Sequence, residues 1–468
     1  MTQHISDIRR SGSSSHGAPF SRSTFNPAVA PHGAVPLLLR VTAFSVFFFP
    51  STMVIDVIGA AGTVPMILSC LLLVFWLCSW AWGLHRPLES RHPGRLAGFF
   101  LLVGVASSYV ALYGGWSGES TATGLMAADR WLILVAASLA LILVTGDSVR
   151  TMADVLQLAR WLLAGAFFSC LVGVVQFTLG INPMEWIQMG MPGFRYNGGD
   201  TAFQARGNLM RVAGSTFHSI EFAVVSAMLL PLSVWRALHD PRGKAWFHWL
   251  QTALLVFAVA ATVSRSGILG AAVALAVFVP FMPQRPRRAV LAVLPVVVVV
   301  LFLTIPGFML TLTGALTADD SDPSISTRTN NYPRVMRMID ERPWFGVGPG
   351  NYTAHGALQI LDNQYLNAAV SIGLIGLACL VVYLWFPALT AIHTARTASS
   401  PPVKSLAGAC GAGLAAAAVC SVTFDSLSFP VFTLTYPLLV GLSGAAWQLA
   451  KRETEFVSAS SGSSKASE

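Results

Sequence analysis

The chain has 468 residues, of which 54% are hydrophobic and only 11% charged, with a formal net charge of +8 at pH 7. A soluble domain carries about 25% charged residues, so that class is excluded and the chain reads as a polytopic membrane protein. The basic excess does not argue for nucleic acid, because it lies in short segments between apolar runs.

Residues 1–34 are rich in Ser, Gly and Pro and are expected to be a disordered cytoplasmic tail. They lack the continuous apolar stretch of a signal peptide, so the first apolar run is expected to act as an uncleaved signal-anchor. Runs long enough to cross a bilayer, about 20 residues each, follow at 35–59, 64–84, 96–115, 127–146, 158–180, 214–236, 246–264, 266–283, 288–311, 365–390, 405–424 and 428–449. They predict an all-α polytopic membrane protein of about twelve transmembrane helices, with a membrane domain over 35–450. Residues 451–468, Ser-rich near the end, are expected to form a second disordered cytoplasmic tail.

The connections alternate by charge. Twenty of the 29 Lys and Arg residues, including all four lysines (Lys244, Lys404, Lys451 and Lys465), fall in the two tails, in every second connection or at the run ends beside them. The other nine are Arg130, Arg195, Arg206, Arg211, Arg265, Arg328, Arg334, Arg337 and Arg342. The positive-inside rule then puts both termini in the cytoplasm and these nine arginines outside, in a bacterial inner membrane. The six cysteines all fall inside predicted spans, with no CxxC, and read as small packing residues. Neither HExxH nor a metal-spaced His/Cys cluster is present, so no metal or cofactor is expected.

Two outward connections are long enough to hold a site, about 181–213 and about 312–364. The second reads STRTNNYPRVMRMIDERPWFGVGPGNY. Pro333 suits a first helical turn, Arg334 and Arg337 would share one helix face, and the helix must end near Arg342, before Pro343. Gly346, Gly348 and Gly350 supply tight backbone turns. Arginine without lysine on the outward face has a chemical meaning, since guanidinium grips phosphate bidentately and stays charged when desolvated. Arg265, in AATVSRSGILGAA, lies at a break between two apolar runs, where a charge near the hydrocarbon wants a partner. The arrangement predicts a phosphate-binding site drawn from Arg211, Arg265, Arg334 and Arg337. Some outward arginines can instead pair with Asp319, Asp320, Asp340 or Glu341, and Arg265 can equally cap a helix end.

The arginine-bearing helix, ERPWFGVGPGNY and LDNQYLNAAVSIGLIGL resemble the core domain of the bacterial O-antigen ligase and O-antigen polymerase superfamily. RVAGSTFHSIEFAVVSAMLLPL and TVSRSG resemble that family's preceding membrane segments, so the likeness spans roughly residues 170–390. The resemblance implies a metal-independent glycosyltransferase with a GT-C-like fold. It would use an undecaprenyl-pyrophosphate-linked glycan on the outer side, with the lipid bilayer and a chain-length regulator protein as further partners. Family arginines of the two outer loops carry over to Arg211, Arg328 and Arg337. The family's histidine before the Asn and Leu of its last loop motif is replaced here by Asp362, which reads equally as a base and as a helix cap. His355 is a substitute base, and Glu221, with His218 on the same helix face, is a further candidate because an acid inside a span is functional by default. Ten residues separate Arg337 from Gly348, similar to a polymerase pattern. Polymerisation, ligation to a terminal acceptor, and transport of an anionic or lipid-linked solute all remain open at this point.

Overall fold

The computed structural model describes residues 35–84, 92–118, 120–197, 203–206, 209–304, 323–352 and 360–465. Among the described residues, each apolar run forms helix over most of its length, because a chain in hydrocarbon must satisfy its backbone internally. The helices are α1 (Leu37–Phe48), α2 (Val64–Ala81), α3 (Pro93–Tyr113), α4 (Ala122–Ser148), α5 (Met152–Leu179), the short α6 (Met184–Met189), α7 (Ser219–His239) and α8 (Ala245–Ala261). They continue with α9 (Arg265–Phe278), α10 (Gln284–Thr304), α11 (Pro323–Glu341), α12 (Gln364–Ser371), α13 (Gly373–Thr397), α14 (Pro401–Cys420) and α15 (Pro430–Lys465). Eight of these, α2 to α5, α7 and α13 to α15, are long and apolar enough to cross a membrane. The protein is an all-α polytopic membrane protein.

Several boundaries differ from the sequence expectation. The run 35–59 stops being helical at Phe48, because Pro50 pushes Phe49 into extended backbone. The run at 365–390 is two helices, broken at Ile372 before Gly373, whose φ is +69°. Pro333 lies inside α11 rather than at its first turn. The segment from 451, expected as a disordered tail, continues α15 to Lys465, since extending an established helix costs far less than starting one. Residues 1–34 lie outside the described residues.

The centre of the bundle is α7, α14 and α15, with 89% of each apolar stretch buried, against 22% for the peripheral α2. Small residues permit this. The run GACGAGLAAAAVC lets α14 approach α7 so closely that a Cβ at Gly413 would strike the Met228 carbonyl.

Connections gather at two opposite ends. At one end, Arg160 bonds Asp240, Arg452 donates to the Arg150 carbonyl, and Glu453 accepts from the Ser400 amide. At the other, β1 (Met53–Ile55) pairs antiparallel with β2 (Phe194–Tyr196), and β3 (Phe203–Arg206) with β4 (Leu209–Val212). There too Asn351 donates to the Gly124 carbonyl and Gln364 to that of Ser421. The two groups follow the alternation of charge read from the sequence: the first end gathers the connections expected inward, the second those expected outward.

Candidate active site

At the second end, the one expected outward, the turn between α8 and α9 carries strain. Val263 has φ +50°, the only positive φ at a non-glycine among the described residues, and the left-handed region is unfavourable for a β-branched side chain. The turn is held by Arg211 on β4, whose buried guanidinium donates from Nε to the Thr262 carbonyl at 2.9 Å. Ser264 then caps α9, and half-buried Arg265 is its first residue. Arg211 and Arg265 therefore flank one short turn.

On the other side stands α11. Val335, Met338 and Ile339 form an apolar stripe that packs with Leu361, Leu366, Val370, Val347 and Tyr352. This docks the helix and sets Arg334 over Tyr352, with Nη1 3.2 Å from the phenol oxygen and the guanidinium 5.6 Å from the ring centre. Arg337 is exposed on the same helix. The backbone of Arg328 is helical, but its side chain, like the whole of His355, lies outside the described residues.

The segment after α11 runs through Gly346, Gly348 and Gly350, with φ of +68°, +110° and +71°. It lies along the end of α12, where the amides of Val347 and Gly348 donate to the carbonyls of Val370 and Ser371 at 3.0 and 2.9 Å. A Cβ at Gly350 would stand 2.7 Å from the Trp131 indole, so only glycine admits both the backbone angle and the approach. Tyr352 and Trp131 line one hollow.

The DNQYL segment docks the start of α12 onto the connection between α14 and α15. Asn363, not Asp362, is the cap of α12, accepting from the amides of Tyr365 and Leu366 at 2.9 and 3.2 Å. Gln364 donates its amide to the Ser421 carbonyl and accepts from the Leu427 amide at 2.7 Å, while the Tyr365 hydroxyl reaches the Ala418 carbonyl. Asn367 donates to Asp425 Oδ2 at 2.8 Å, and Ser428 donates to the same oxygen at 2.5 Å. Burial, assisted by the negative charge of Asp362, pushes the Asp425 carboxyl up to about 6 against the pull of those two hydrogen bonds. Trp131, Gly350, Tyr352, Leu361, Asn367 and Asp425 all line one hollow of about 280 Å³.

The connection 421–429 joins the two halves of the site. Thr423 donates to the Ser266 hydroxyl at 2.8 Å, directly beside Arg265, and Cys420 reaches the Ser266 carbonyl. Phe429 packs edge-on against His218. His218 is the cap of α7, its Nδ1 accepting from the Ile220 amide at 3.0 Å. Burial and the nearby Arg211 charge lower its pKa to about 4, which keeps the ring neutral and able to accept. Glu221 is fully buried, with its oxygens taken by the amides of Val431, Phe432 and Phe217 at 2.7, 3.0 and 2.8 Å. It holds the N-terminus of α15.

Of the residues singled out by sequence, Arg334 reaches the hollow through Tyr352, and Asp362 reaches it through its charge on Asp425. Arg265 adjoins the same connection from the other side through Ser266, and Arg211 holds the turn that precedes it. Other outward arginines do other work: Arg195 pairs with Asp56 at 2.9 Å, Arg130 lies over Gly59, and Arg342 over Gly118. Sequence reasoning missed Asp425, Asn367, Tyr352 and Trp131. Among the described residues, no group of three or more His, Cys, Asp and Glu side chains comes together as a metal site.

Residues 250–381 match the family model described as O-antigen ligase. None of the curated proteins matches the chain. The matched span holds Arg265, Arg334, the glycine turns and the DNQYL segment, so within residues 250–381 the chain carries a segment similar to the O-antigen ligase family.

Proposed function

We propose that the protein is a metal-independent membrane glycosyltransferase that polymerises undecaprenyl-pyrophosphate-linked oligosaccharide units into a surface polysaccharide, on the outer face of the bacterial inner membrane with both termini in the cytoplasm. The observation that supports this reading is one hollow at the end expected outward, lined by the Asp425 carboxylate and by Tyr352, which Arg334 bonds from behind. Transfer from a lipid pyrophosphate has two requirements. Charge must be stabilised on the departing diphosphate, and a proton must leave the attacking hydroxyl. Fixed guanidinium groups meet the first, since donors held in place cost no reorganisation as charge develops. We assign this to Arg211, Arg265, Arg334 and Arg337, with Arg328 as a further member, and assign the proton transfer to a carboxylate of the hollow, with Asp362 acting beside it. His355 and Glu221 stand behind it as alternative bases, although the three amides on Glu221 favour a structural role. The spacing of Arg337 and Gly348 favours polymerisation over ligation to a lipid or protein acceptor.

The test uses purified full-length protein in liposomes with the lipid-linked oligosaccharide that accumulates in cells deleted for this chain. Longer glycans and released lipid pyrophosphate, undiminished by a chelator, are the expected products. Movement of lipid between leaflets without new glycosidic bonds would overturn the enzyme reading and favour transport.

A further inference from the structure

We propose that Asp425, on the connection between α14 and α15, is the general base that takes the proton from the acceptor sugar hydroxyl, with Asn367 and Ser428 as its positioning residues. The inference rests on the glycosyltransferase reading above and adds to it a catalytic residue that lies beyond the matched residues 250–381. Three observations carry it. Asp425 lines the outward hollow of about 280 Å³, together with Trp131 and Tyr352, two aromatic rings of the kind that suit a sugar face. Its Oδ2 is fixed by two donors, Asn367 Nδ2 at 2.8 Å and Ser428 Oγ at 2.5 Å. Its Oδ1 is buried and, among the described residues, has no hydrogen-bond partner. A buried carboxylate oxygen left without a donor costs free energy unless a ligand or a proton meets it.

The supporting framework is rigid. Asn367 is itself oriented by Ser371, whose hydroxyl donates to Asn367 Oδ1 at 2.7 Å, and Gln364 ties the connection to α12 from both sides. Among the described residues, few charged groups face Asp425. Asp362, before α12, is close enough to raise the proton affinity of Asp425, and Arg334 stands behind Tyr352. A carboxylate with its proton affinity lifted towards neutrality is a better base than one at its ordinary value. In the step itself, the acceptor oxygen bonds to the donor anomeric carbon while its proton passes to Asp425 Oδ1. The bond from that carbon to the pyrophosphate oxygen breaks, and its electron pair leaves with the lipid diphosphate. The proton is later lost to water, so no further reactant is needed.

The experiment measures kcat, KM and their pH dependence in proteoliposomes, using the lipid-linked oligosaccharide from deleted cells, for the wild type, Asp425→Asn, Asp425→Glu and Asp362→Asn. A positioned base contributes about 100-fold or more, so Asp425→Asn is expected to lose about that factor in kcat with little change in KM, and Asp425→Glu to regain part of it. The acidic limb of the wild-type profile is expected near the Asp425 value of about 6, and Asp362→Asn is expected to move it to lower pH. An Asp425→Asn protein that elutes as a folded species and turns over at close to the wild-type rate overturns the inference. An acidic limb that stays in place in Asp362→Asn overturns it as well, even if the Asp425 variants fail to fold. Absence of any transfer by the wild type is a different result, and removes the glycosyltransferase reading itself.

Discussion

Replacing Glu221 by alanine perturbs the contact that joins the head of α7 to the first turn of α15, two of the three most buried helices. In the native arrangement one carboxylate answers three backbone amides, those of Phe217, Val431 and Phe432, at 2.8, 2.7 and 3.0 Å. Leaving a buried donor unmet costs about 1–3 kcal/mol, so the three together set a loss of at least about 3 kcal/mol for Glu221→Ala. Glu221→Gln should fall between. Its amide oxygen can still serve Val431 and Phe432, but its NH2 then faces the Phe217 amide, donor against donor, at a cost of about 1–3 kcal/mol. Thermal unfolding in detergent can be followed by a thiol-reactive dye, because Cys170, Cys379, Cys410 and Cys420 are buried in the folded protein. Melting temperatures should fall in the order wild type, Gln, Ala. An alanine variant that melts with the wild type would refute the reasoning, and one that melts normally but has lost turnover would move Glu221 from the scaffold into the chemistry.

At the opposite end, Asp240 is buried between Arg160 and Arg236. Burial alone would raise its pKa, but hydrogen bonds from Arg160, the Arg242 amide and Arg236 outweigh it and hold the carboxyl at about 2. A depressed carboxyl stabilises fully above its ordinary value of 3.8 and loses that contribution as pH falls through about 2, so the stability gap between wild type and Asp240→Asn should stay constant down to about pH 4 and close below it. Asn363→Ala should destabilise the protein by about 1 kcal/mol, the worth of a helix cap, whereas Asp362→Asn should leave that cap intact, as paired melting curves would show. Arg334→Lys keeps the charge but loses the planar fork, and should cut turnover while the protein still folds; full activity would reduce Arg334 to a structural charge. Gly350→Ala forces a side chain onto Trp131 at a positive φ, and should lower both melting temperature and activity.

The helical bundle is readable in the sequence because an apolar stretch in hydrocarbon has few alternatives to helix. Where the reading erred, local chemistry intervened. Pro50 ends α1 early, and Gly373 splits the run at 365–390. The β pairs escaped because strands of three or four residues leave no periodicity to detect. Arg334 and Asp362 stood out through charge and motif. Asp425 did not, lying in a short connector between two apolar runs with no pattern around it. One signal was present: an acid followed by Ser426 and Ser428 in a connection expected outward, in a chain with so few charges. Adjacent Asp362 and Asn363 are both good capping residues, and only the fold selects Asn363.

The account turns on where the lipid diphosphate binds. An electron cryo-microscopy structure of the protein in a lipid nanodisc with a non-hydrolysable undecaprenyl-pyrophosphate sugar analogue would locate it directly. The account predicts the two phosphates against the outward arginines, Arg334 among them, with the sugar in the hollow beside Asp425 and Trp131. Phosphate density at the opposite end of the bundle, or on the outward surface away from that hollow, would contradict it.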